Sequence, residues 1–141
     1  MQFATLLSTL ISVYFIIAKV QAMKLVLYST RGVTREFNID AVVQRCYNIY
    51  DCFKGPSLSA TWNDVKSHTN VVFYSNANCQ KHKAVGKGTP DGALSFSDAK
   101  FAHTAAAFMI WESGQYATGG IEDACFLDES AMVNTTNTLS A

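Results

Sequence analysis

The run Leu25-Val26-Leu27-Tyr28-Ser29 is echoed later in the chain by Val71-Val72-Phe73-Tyr74-Ser75, which points to a duplication and away from one irregular domain. Each copy is a short apolar run ending in Tyr-Ser. A polar turn follows, Thr30-Arg31-Gly32 in the first copy and Asn76-Ala77-Asn78 in the second, which is the pattern of a strand entering a hairpin. A second echo, Ser59-Ala60-Thr61-Trp62 against Ala107-Phe108-Met109-Ile110, comes at nearly the same offset. An all-β chain of two strand-rich units in tandem is expected, over residues 24–65 and 69–112.

Ahead of the repeats, residues 6–18 are apolar except for Ser8, Thr9 and Ser12, and the stretch closes on Val20-Gln21-Ala22. A spanning helix needs about 20 apolar residues, and this run is shorter, with Lys19 at its end. It reads as a secretory signal over residues 1–22, cleaved after Ala22 so that the mature chain starts at Met23. The expected location is extracellular, without stable membrane insertion after cleavage. The segment carries Lys19 and no acid, which leaves ten Lys plus Arg against eleven Asp plus Glu in the mature chain. That balance gives no basic footprint for a nucleic acid. What remains suits one domain over residues 23–118, with a core large enough to stand alone.

The four cysteines, Cys46, Cys52, Cys79 and Cys125, all lie beyond the signal. In an oxidising compartment an even count means two disulfides, of which three connectivities are open. A metal site needs closely spaced ligand pairs. Only Cys46 and Cys52 are near each other, and His68, His82 and His103 stand apart from them. No cofactor is expected.

Strands are predicted over 25–28, 33–39, 58–62, 71–74 and 108–111, with Val33, Phe37 and Ile39 spaced for one face. Asp40 opens a turn or a single helical twist through 41–45, where β-branched residues weaken a helix. Residues 46–53 alternate like a half-buried strand, with Tyr47, Ile49 and Asp51 on one side. Gly86, Gly88, Pro90 and Gly92 mark residues 86–92 as a loop; in the Ala- and Ser-rich stretch 93–107, residues 97–101 read as a helical turn. From residue 119 onward the chain turns small, polar and acidic, a mostly flexible tail. Cys125 is its exception, and Asn134-Thr135-Thr136 is a glycosylation acceptor triplet within it.

With the units aligned, the chain resembles a βγ-crystallin-type domain. The likeness is carried by Leu27 to Val33 and Ser59-Ala60-Thr61-Trp62 in the first unit, and by Phe73 to Gln80 and Phe108-Met109-Ile110-Trp111 in the second. Small secreted fungal and oomycete proteins with a Cys in the hairpin and a Phe-Met-Ile-Trp closing strand are similar. The resemblance implies two Greek key motifs that exchange strands in a sandwich of two antiparallel sheets. Two departures matter. Arg35 and Lys81 stand where the family hairpin has a glycine of positive φ. The windows matching the family's calcium loops, residues 54–59 and 102–107, hold no carboxylate for a hard cation. The resemblance therefore implies the fold without the calcium site.

Family company does not fix a function, since the fold hosts lens proteins, calcium binders, a metalloproteinase inhibitor and microbial killer toxins. No glycine-flanked serine marks a nucleophile elbow, and the three histidines read as loop or ordinary partly buried residues. The expectation is a secreted, non-enzymatic binding protein, effector or toxin-like, acting on an extracellular protein or glycan. The alternatives are a protease inhibitor presenting residues 86–92 or 54–57 to an enzyme cleft, and a structural component of a wall or matrix. Lys81, His82, Lys83 and Lys87 form a basic edge that can meet an anionic glycan or headgroup. Tyr47, Tyr50, Trp62, Trp111 and Tyr116 are candidate surface aromatics.

Overall fold

A computed structural model describes residues 22–40, 42–87 and 90–126. The expected signal up to residue 21 and the segment from residue 127, with Asn134, lie outside them. Its regular elements are nearly all strands: β1 (Met23–Ser29), β2 (Thr34–Ile39), β3 (Cys46–Asn48), β4 (Ser57–Asn63), β5 (Asn70–Tyr74), β6 (Lys83–Lys87), β7 (Gly92–Ser95), β8 (Ala107–Trp111) and β9 (Ile121–Asp123). They form two sheets, one ordered β2-β1-β4-β7 and the other β6-β5-β8-β3-β9. Every pairing is antiparallel except that of β9 with β3.

The duplication is carried into the strand register. Leu25 pairs with Trp62 and Leu27 with Ala60 in the first sheet, and Val71 pairs with Ile110 and Phe73 with Phe108 in the second. Each repeat thus places its opening run against its closing strand, in the alignment the sequence suggested. The third strands cross over. β3, from the first unit, pairs with β8, while β7, from the second, pairs with β4.

Alternation along β1, β2 and β5 points one row of side chains between the sheets. Leu25, Leu27, Phe37 and Trp62 enter from the first sheet, and Tyr47, Phe73, Phe108 and Ile110 from the second, all at most 1 % exposed. Phe73 sits at the centre, 5.2 Å edge-on from Phe96 and 6.4 Å from Phe108, while Tyr47 stacks on Phe108 at 5.1 Å. Burying each of these large side chains contributes about 2 kcal/mol.

The corner between β6 and β7 is closed by one ring. The indole of Trp62 lies over Gly86 and Gly92, and a Cβ at either glycine would overlap it. Both ends of the loop expected over 86–92 are strand. Gly86 and Lys87 belong to β6 and Gly92 to β7, and Val65 N donates to Pro90 O at 2.9 Å. The glycines are there to make room for a ring.

Four other expectations change. The strand foreseen over 46–53 lasts only through Asn48, because the chain turns at 50–52, where Phe53 N donates to Ile49 O at 3.0 Å. Val33 is 50 % exposed in the turn before β2 and does not join the face of Phe37 and Ile39. The folded unit continues past residue 118. β9 adds to the open edge of β3, and a single helical turn at 124–126 buries Ala124 and Cys125. Tyr47 and Trp62 are core residues and not surface aromatics.

Candidate functional site

Disulfide connectivity resolves to Cys46–Cys79 and Cys52–Cys125, with Cα–Cα distances of 5.8 and 5.5 Å, and no described cysteine is free. The first bond ties β3 to the hairpin between β5 and β6. The second ties the turn after β3 to the turn after β9, which is why the acidic stretch from 119 is held as far as Phe126.

Cys79 helps to form a second, smaller core on the outer face of the second sheet, with Cys46, Val72, Tyr74, Ala107 and Met109. A strap over residues 112–120 covers this face, with Trp111 and Ala117 packed against the cluster. The strap is pinned by Gln44, which is 6 % exposed and held at φ 58°. Its Nε2 donates to Gly114 O at 3.0 Å and Tyr116 O at 2.9 Å, and its Oε1 accepts from Glu112 N at 2.7 Å and Ser113 N at 3.3 Å. Its backbone N donates to Ile110 O and its carbonyl accepts from Gly119 N. Every polar group of this buried residue is thereby satisfied, as burial demands. Sequence reasoning passed over Gln44 as part of a turn; only a polar residue among valines hinted at it.

The basic edge foreseen at Lys81, His82, Lys83 and Lys87 divides. Lys83 and Lys87 lie at opposite ends of β6, both exposed. Lys83 Nζ donates to Gln115 Oε1 at 3.0 Å and stands 4.9 Å from the Trp111 ring centre, a cation–π contact. Lys81 is exposed and adopts, at φ 66°, the left-handed conformation that favours glycine. Arg35 does not; it pairs with Leu27 inside β2. His82 turns the other way and stacks on His103, with ring centres 4.7 Å apart, and Phe101 meets His103 edge-on at 5.4 Å.

Lys81 and Lys83 line a cleft of about 260 Å³ with Tyr74, Gln80, Gln115 and Tyr116, floored by Cys79. Trp111 Nε1 donates to the Tyr74 hydroxyl at 2.7 Å, and burial pushes that phenol above its ordinary value. Of the other surface aromatics, Tyr116 is 82 % exposed and Tyr50 58 %, the latter with Lys54 Nζ 3.9 Å from its ring centre.

The windows 54–59 and 102–107 meet each other, since Ser57 Oγ accepts the Ala105 N–H at 2.8 Å. Among the described residues no group of three His, Cys, Asp or Glu is placed to hold a metal ion. No protein-family model, curated protein or solved structure matches the chain.

Proposed function

We propose that the protein is a secreted, non-enzymatic binding domain of βγ-crystallin-like build that acts, in an effector- or toxin-like way, on a target outside the producing cell. The observation that carries this is the exchange of third strands, β3 into the sheet of the second unit and β7 into that of the first, which is what two interlocked Greek keys would produce. Two disulfides fit a chain that folds after export. A binding role is supported by where the unusual residues fall. The left-handed Lys81, the exposed Tyr116 and the cation–π pair of Lys83 and Trp111 gather on one hairpin and its neighbouring strap.

An inhibitor loop is less well supported. Gly86 and Gly92, the ends of one of its two candidate segments, lie against the Trp62 ring.

The test is expression of the full chain in a eukaryotic secretory host. Intact mass and peptide mapping of the medium should find Met23 as the first residue and both crosslinks closed. The labelled protein should then be retained by washed whole cells or wall preparations. A product that stays cell-bound with residues 1–22 attached, or one retained by no surface, overturns the reading.

A further inference from the structure

Resting on the reading of the chain as an extracellular binding domain, we infer that the cleft between the β5–β6 hairpin and the strap is a binding site for an acidic sugar residue of a polyanionic glycan. Its lining is one-sided in chemistry. Lys81 and Lys83 supply two ammonium groups, and no carboxylate lines the cleft. The Oε1 of Gln115 is taken up by Lys83, so Gln115 presents its NH₂. Tyr74 already accepts from Trp111, so its own O–H is left to donate. A ligand that fits must offer acceptors and negative charge.

Tyr116 decides between a bare anion and a sugar. Its ring is 82 % exposed beside these donors, on a strap whose carbonyls at Gly114 and Tyr116 are fixed by Gln44. A flat aromatic face next to cations suits the C–H face of a pyranose that carries a charged substituent. The opposite wall is fixed as well, by the Cys46–Cys79 bond. Both walls are therefore held before the ligand arrives, which lowers the ordering cost of binding. The whole chain carries no net positive charge, so any attraction for a polyanion must be local to this edge.

A uronate carboxylate and a sugar sulfate share this chemistry. The experiment therefore titrates the secreted, oxidised protein with polygalacturonate, dextran sulfate and neutral dextran. It is expected to bind at least one of the two anionic polymers, more weakly at higher salt, and not dextran. The polymer bound tells carboxylate from sulfate.

Lys81→Gly removes one charge while giving the left-handed position the residue it favours, so the fold is kept and the melting temperature does not fall. Affinity should drop about tenfold in this variant and about three- to tenfold in Tyr116→Ala. Lys24→Ala, on the outer face of the other sheet, should leave affinity within about twofold. Equal losses in Lys24→Ala and Lys81→Gly, or full affinity in Tyr116→Ala, would overturn the site. Binding to anionic lipid vesicles but to neither glycan would overturn the sugar assignment. Retention by whole cells without polyanion binding refutes the ligand class and leaves the extracellular binding role standing; loss of both refutes both.

Discussion

Val26 and Val72 hold the same place in the repeat, as do Tyr28 and Tyr74, yet they meet opposite surroundings. On β1 the outward Val26 and Tyr28 remain partly exposed, while on β5 Val72 and Tyr74 are at most 2 % exposed. The strands themselves do not explain this. The difference comes from pieces that occur once: the Cys46–Cys79 bond, the strap over 112–120 and the Gln44 that pins it. A duplication copies a strand and its pairing but not what lies on its outer face. Here the uncopied pieces turn one outer face into a second core and fix the hairpin that carries Lys81.

Undoing those pieces should make the two faces alike. The largest effect is expected from replacing Cys46 and Cys79 together by Ala. With the cysteines at a sequence separation of 33, the lost chain constraint is about 4 kcal/mol, read as a lower urea midpoint. An unchanged midpoint would mean the strap holds the face alone. Gln44→Leu should follow at about 3 kcal/mol, since it strips four side-chain hydrogen bonds from the strap. Amide exchange at Val72 and Tyr74 should then rise toward the rates at Val26 and Tyr28. Protection that persists would show that the strap does not depend on Gln44.

The direct comparison is Val72→Ala against Val26→Ala. We expect about 2 kcal/mol lost in the first and under about 0.5 in the second, and equal losses would refute the asymmetry. The smallest effect is electrostatic. Burial raises the phenols of Tyr47 and Tyr74 above the ordinary value of 10.0. The folded state then holds these protons more tightly than the unfolded one, so their contribution is intact below about pH 10 and is lost as pH rises through the raised values. Thermal unfolding should show a falling midpoint only above that pH. Tyr74→Phe should reduce the fall.

Much of the sandwich was legible in the sequence, because hairpins and closing strands are written in local alternation. Leu25 to Ile39 read directly as β1, turn and β2, and the second echo placed Trp62 and Ile110 at equivalent register positions. What failed was information held by distant residues. Gly86 and Gly92 are turn signals locally, and only the Trp62 ring shows that they are packing positions. β9 is three residues long and pairs in parallel with β3, too short and too polar for alternation to reveal; Cys125 was its one trace. Along 46–53 alternation divided the residues into two sides but did not tell which faced inward, so Tyr47 stayed among the candidate surface aromatics. For the candidate site, Lys81 and Lys83 were visible as charge. Tyr74, Gln80, Gln115 and Tyr116 join them only through the hairpin and the strap.

The ring over two glycines also limits how a chain of this design can diverge. Positions 62, 86 and 92 share one volume, contributed by an edge strand of each sheet and by the closing strand β4 beside β7. A side chain larger than hydrogen at either glycine position would be tolerated only where position 62 had already shrunk. The three positions should therefore drift as a linked set, and distant homologues would be recognised sooner by that coupled pattern than by overall identity.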